Sequence, residues 1–225
     1  MLYISRCSGI IKKEDRNNSK GGMAMAYQII TINREFASCG SEIAQQVAQM
    51  LHIPYVDKFL ITEAAQKSGV QVDRVEATDE QLASRFEYSQ AEAAHYYATA
   101  SSALPTTAQI AEVQFQLIEH MAEQGPCVIV GRCANHVLRE RRDVLDIFIH
   151  ASRDVRVQET MKMFSLGEKE AVRLLKRTDK ARKAYYKNYT GMDWNNPNSY
   201  HMMLNSDLLP VDLCVKLICD VYRGL

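Results

Sequence analysis

The chain has 225 residues, 47% hydrophobic and 24% charged, with 27 Lys+Arg balanced by 27 Asp+Glu. That length suits one α/β domain with a modest insertion, and folding can bury roughly 70–75% of the unfolded surface, so no disulfide or metal staple is required. Zero formal net charge argues against a protein working by global attraction to nucleic acid or anionic membrane, and no stretch approaches the ~20 consecutive apolar residues of a membrane span.

Residues 1–26 are polar, lack a sustained period and hold no apolar run long enough for a signal peptide. They read as a disordered tail or an over-long gene start, with Met23 and Met25 as alternative starts, and the cytoplasm is the expected compartment. QIITIN (28–33) is a β-branched run that predicts a buried strand. After the loop REFASCG, Ile43, Val47, Met50 and Leu51 recur at helical spacing. IPYVD (53–57) reads as a second strand and 59–69 as a second helix.

From 63 to 92 seven acidic residues face Lys67, Arg74 and Arg85, and the Ala-rich stretch 70–104 is weakly patterned. The whole of 70–125 is expected as a helical insertion, its last helix starting after Pro105-Thr106-Thr107. CVIVG (127–131) predicts a central strand, 134–140 a short helix, VLDIFIH (144–150) a strand and 153–188 helix. MMLNS (202–206) and VDLCVKLICDVYR (211–223) predict a last strand and a closing helix.

Strands alternating with helices make a parallel sheet covered on both faces, and ligands of such folds bind beyond the carboxyl ends of the strands. The loops at 34–41, 57–59, 131–135, 151–154 and 206–210 are therefore the ones to watch. The six cysteines include no CxxC pair and no neighbouring His at ligand spacing, so neither a zinc site nor a disulfide framework is expected. Cys127, Cys214 and Cys219 lie in apolar runs and suit the core. The six histidines show no metalloenzyme spacing.

A short loop entering a helix presents free N–H groups and a positive dipole end, which suit phosphate. The loop Arg34 to Ser41 keeps Ser38, Gly40 and Ser41 but puts Ala37 and Cys39 at small-residue positions and has no lysine. The full pattern is GxxxxGK followed by Ser or Thr, so this segment alone reads as an ordinary βα turn. Arg132 directly follows CVIVG, where a guanidinium is placed either to fork onto a phosphate or to pair with a carboxylate such as Asp57. Asp57 itself ends a strand, where it can orient phosphate or cap the next helix. Between 173 and 187 seven cations stand against Asp179 alone, with Arg173, Lys176, Arg177 and Lys180 on one helical face. Such a run is either a solvated face or a phosphate clamp. Tyr185, Tyr186 and Tyr189 suit stacking on a base or packing of this helix against the core.

Taken together, TINREFASCGSEIAQQVA, LHIPYVDK, CVIVGRCANHVL, LDIFIHASRDVRVQE, KRTDKARKAYYKNYTG and LNSDLLPVDLCVKLI resemble the cytidylate kinase-like family over about residues 28–222. The resemblance implies a P-loop NTPase-like three-layer α/β/α fold with a five-stranded parallel sheet, a helical insertion and a helical lid over 153–190, all in one domain from residue 27 to 225. It implies transfer of the ATP γ-phosphoryl, with Mg²⁺, to a nucleoside monophosphate or another small phosphorylated acceptor. In that reading Arg34, Ala37, Ser38, Cys39, Gly40 and Ser41 hold the donor phosphates, Asp57 and Arg132 the acceptor, and Arg177, Asp179 and Arg182 the transferring group. The sequence departs from the pattern at Val130 and Cys133, at Leu175 in the lid and at Glu63 near the acceptor. For the missing loop lysine the candidate substitutes are Arg34, Lys58 and the lid pair Arg177 and Arg182, the lid pair being preferred because closure brings them in with both ligands. A lysine restored at position 40 should then tighten ATP binding wherever the helix start accepts it. The alternative reading is a catalytically weak or silent nucleotide sensor using the same pocket. The expected partners are nucleotides or small phosphorylated substrates, not nucleic acid or membrane, and nothing in the sequence excludes a homo-oligomer.

Overall fold

The computed structural model describes residues 27–57 and 107–225. The expected tail over 1–26, the helix over 59–69, the acidic segment 70–104, Lys58 and Glu63 lie outside the described residues. Numbering the elements along the described chain gives β1 (Ile29–Arg34), α1 (Gly40–Leu51), β2 (Tyr55–Val56), α2 (Thr107–Gln124) and β3 (Cys127–Val130). Then come α3 (Ala134–Val137), β4 (Val144–His150), α4 (Arg153–Phe164), α5 (Glu168–Thr190), β5 (Met202–Asn205) and α6 (Val211–Arg223).

The five strands form one parallel sheet in the order β2-β3-β1-β4-β5. In β1 the pleat sends alternate side chains to opposite faces. Ile30 and Ile32, with Val128, Val130, Leu145, Ile147 and Ile149, pack on the side of α1 and α6. There α1 contributes Ile43, Ala44, Val47 and Ala48, and α6 Cys214, Val215, Ile218, Cys219 and Tyr222, each set at helical spacing. Ile29, Ile129 and Val144 point the other way, onto Ile118 and Ala122 of α2 and Ala134 and Leu138 around α3. The expected three-layer arrangement follows from this two-sided apolar pattern. Cys127, Cys214 and Cys219 are buried free thiols, as their apolar runs require.

Three element boundaries differ from expectation, each for a local reason. The strand over 53–57 contracts to Tyr55–Val56, because the Ile53 amide is spent closing α1 on Ala48 O and Pro54 has no N–H. The helix over 134–140 stops at Val137, and successive turns, with the Arg139 amide on His136 O and the Arg141 amide on Leu138 O, tuck Leu138 into the core. The helical stretch 153–188 breaks at Ser165, whose left-handed φ of 52° ends α4 before α5 begins.

The chain leaves β1 for β2 by stepping over β3, and leaves β3 for β4 by stepping over β1. The carboxyl ends of β1 and β3 therefore flank the point where the strand order reverses, which is where open α/β sheets bind ligands.

Candidate functional site

The loop between β1 and α1 is held on every side. The Glu35 amide donates to Ile149 O, the Ser38 hydroxyl to Glu35 O at 2.9 Å, and the Ser206 hydroxyl to Ser38 O at 2.8 Å. Ala37 and Cys39 both sit at φ 56°, a left-handed conformation that costs a non-glycine residue about 1–2 kcal/mol. Cys39 makes no side-chain capping bond to α1, and among the described residues no side chain caps the first N–H groups of this twelve-residue helix. Burial pushes the Cys39 thiol above its ordinary pKa, with Glu42 and Glu159 adding to the shift.

At the end of β3, Gly131, Arg132 and Cys133 take three successive left-handed conformations (φ 76°, 56° and 57°), turning the chain sharply at the sheet edge. The Arg132 guanidinium lies 5.6 Å from the centre of the Tyr185 ring, a cation–π contact. Tyr185, whose hydroxyl donates to Gln114 Oε1 at 3.1 Å, is pushed up to about 12 by burial, with Arg132 opposing the shift. Burial likewise raises Cys133 to about 12.

Helix α5 crosses this edge. Arg182 donates from Nη1 to Arg34 O at 3.1 Å and stands 5.7 Å over the Phe36 ring. Asn33, Arg34, Gly131, Arg132, Arg182, Tyr185 and Trp194 line a cavity of about 70 Å³. Three of the expected arginines thus arrive from β1, from the end of β3 and from α5 at one place. Arg177 is not among the lining residues: five positions before Arg182, it is turned roughly 140° around the helix. Ser41 receives the Arg34 Nε hydrogen bond at 3.4 Å. Asp57 closes β2 beside Tyr55, whose hydroxyl pKa is raised by burial first and by Asp57 next, with Arg34 acting against both.

Asp179 is 8% exposed and faces the loop from below rather than the cavity. Its Oδ1 accepts the Phe36 amide at 2.9 Å and its Oδ2 takes Arg156 Nη1 at 2.6 Å. Arg156 also donates to Phe36 O and lies 3.3 Å from Glu35, while Glu35 accepts the Ala151 amide. Sequence reasoning passed over Glu35 and Arg156. The available signal was Arg156 on the same helical face as Val157 and Thr160, at the start of the helix after a central strand. Asn33, Asn135 and Tyr186 form a second buried chain, Asn33 Nδ2 to Asn135 Oδ1 at 3.0 Å and Asn135 Nδ2 to Tyr186 Oη at 2.9 Å. With Phe148 and Trp194 they pack α5 against the sheet.

Magnesium, which the resemblance implies, meets a thin donor set. Among the described residues no three His, Cys, Asp or Glu side chains stand together to hold a metal, and the Ser41 hydroxyl already receives Arg34. Magnesium characteristically takes one or two carboxylates plus substrate phosphates and keeps several waters. An ion carried in on nucleotide phosphates fits that set; a resident one does not. No helix among the described residues is long and apolar enough to cross a membrane.

Solved structures share the fold. An uncharacterized protein from Eubacterium ventriosum ATCC 27560 is 25% identical with a TM-score of 0.66, covering 88% of this chain and 99% of its own. A sugar kinase from Janibacter sp. HTCC2649 (10% identity, TM-score 0.52, 88% and 95% covered) and a gluconokinase from Sinorhizobium meliloti 1021 (13%, 0.50, 89% and 93%) share the architecture alone. No curated protein sequence matches the chain. The family model of the cytidylate kinase-like family matches residues 29–208, from the first residue of β1 to just beyond β5, and the chain belongs to that family.

Proposed function

We propose that this protein is a nucleotide-dependent phosphotransferase that moves the γ-phosphoryl of ATP to a small phosphorylated acceptor, a cytidylate-like nucleoside monophosphate foremost. Family membership and the kinase fold support the general class. One observation carries the reading: Arg34, Arg132 and Arg182, from three separate elements, line one cavity beside the uncapped start of α1, where the strand order reverses. Positive groups gathered there offset the charge that spreads over a phosphoryl group in transfer.

In this reading the loop 34–41 takes the donor phosphates, Arg132 and Asp57 address the acceptor, and Arg182 reaches the transferring group. Helices α4 and α5, over 153–190, form the lid, with Asp179 holding the lid to the loop and Arg177 on its flank. The nucleotide brings Mg²⁺, which would neutralise its phosphates. Free buried cysteines accord with a reducing, cytoplasmic setting.

The alternative, a nucleotide sensor of little turnover, draws on the missing loop lysine and on Arg34 holding the Ser41 hydroxyl. ADP formation across the common nucleoside monophosphates and small phosphate acceptors separates the two. Acceptor-dependent turnover that falls at least ~10²-fold in Arg182→Ala, about 2.7 kcal/mol of barrier, with ATP affinity kept, supports the enzyme. Turnover no higher than in an Arg132→Ala/Arg182→Ala double variant, with nucleotides still raising the melting temperature, supports the sensor.

A further inference from the structure

Set against GxxxxGK followed by Ser or Thr, with Ser41 at the hydroxyl position, this loop has its first glycine and its lysine exchanged: Arg34 stands at the glycine and Gly40 at the lysine. The exchange is steric. A Cβ at Gly40 would lie 2.4 Å from Arg34 Cβ and 2.9 Å from Cγ, so a side chain at 40 and an arginine at 34 exclude each other. At the other end a Cβ on Gly131 would lie 2.7 Å from Arg34 Nη1. Two glycines, one opening α1 and one following β3, thus form a trough for one arginine, which carries its guanidinium past Ser41 to the cavity shared with Arg132 and Arg182.

We infer that Arg34 is the residue that grips the donor β- and γ-phosphates, delivering from the strand side the cation that a P-loop lysine delivers from the helix. This rests on the phosphotransferase reading, and it replaces both the preference for the lid pair and the expectation that a lysine at 40 would help. Alone, Gly40→Lys collides with the Arg34 stem. With Arg34→Gly the 2.4 and 2.9 Å collisions vanish, and Ile149 Cβ at 3.3 Å is the remaining tight neighbour.

The test is calorimetric titration of ATP into the full chain and three variants, with melting temperatures alongside. Arg34→Gly should weaken ATP at least ~10-fold, the low end for one lost charge-assisted hydrogen bond. Gly40→Lys should lower the melting temperature, and the Arg34→Gly/Gly40→Lys swap should recover most of the lost affinity. Where Arg34→Gly melts too low to titrate, Arg34→Gln keeps the stem, removes the charge and should show the same ~10-fold loss. Wild-type binding that is indifferent to Arg34, or a swap no tighter than Arg34→Gly, overturns this inference alone. A wild-type protein that binds no ATP overturns the phosphotransferase reading with it.

Discussion

Asp179 on α5 accepts the backbone amide of Phe36 in the β1–α1 loop at 2.9 Å, across 143 positions of chain. Its other oxygen holds buried Arg156, so the one carboxylate fixes both the loop backbone and the cation beneath it. Removing one partner of a buried pair strands the other, at about 3–5 kcal/mol. Here Glu35 still faces Arg156 at 3.3 Å. Asp179→Ala should therefore cost near the lower figure, about 3 kcal/mol, in urea unfolding. A loss below about 1 kcal/mol would show that the network does not hold the loop.

Ala37 occupies a left-handed conformation with almost no side chain to lose. Ala37→Gly should raise stability by about 0.5–1 kcal/mol, the relief of backbone strain less the greater freedom of glycine in the unfolded chain. At Cys39 the same change should gain less, because the thiol packs against the core of the α1 side. Urea midpoints of the two variants check the order, and a destabilised Ala37→Gly would refute it.

Asp146 lies in β4 with its carboxyl pushed up to about 6, mainly by burial, against the lowering effects of the Thr31 hydroxyl at 2.5 Å and of His201. The folded state therefore holds this proton more tightly than the unfolded chain, whose ordinary value is 3.8. Stability is favoured by the group below pH 3.8 and declines as pH rises from there to about 6, where the full cost of a buried charge is reached. Asp146→Asn should remove that decline, gaining about 1–3 kcal/mol at pH 7 and little at pH 4. Melting curves across that range decide it, and a gain that is flat with pH would assign the effect to packing.

Arg132→Ala should weaken the acceptor by ~1.5–3 kcal/mol, the range for a charged hydrogen bond, while ATP binds nearly as before. Equal loss of both ligands, or a lowered melting temperature alone, would make the Arg132–Tyr185 contact purely structural.

The sheet was legible because burial on both faces writes unbroken apolar runs: CVIV and VLDIFIH became β3 and β4 at the expected places. In α1 the helical spacing picked out Ile43 and Val47 of the buried face, but it also took in Met50, which is 47% exposed. Boundaries slipped where one hydrogen bond or one left-handed residue decides them, as at Ile53 and Ser165. At the site, residue type and strand position singled out Arg132, while Arg182 was singled out by the basic run and the resemblance of KRTDKARKAYYKNYTG to the family. The setting of Asp179 was not readable, since a lone acid in a basic run gives no sign that Glu35 and Arg156 converge on the same loop. The Arg34–Gly40 exchange was written in the spacing, but only the 2.4 Å approach of the two positions shows that the Arg34 stem requires glycine at 40.

Trp194 is the only tryptophan in the chain, is 4% exposed, packs edge-on against Phe148 at 5.1 Å, and also lines the arginine cavity. Its indole is therefore a native optical probe: excitation at the red edge of protein absorbance reports one position. Anything that fills the cavity, or lifts α5 from the sheet, must alter the wavelength or intensity of that single emission. Ligand screening and the kinetics of helix movement can thus be followed on the unlabelled protein.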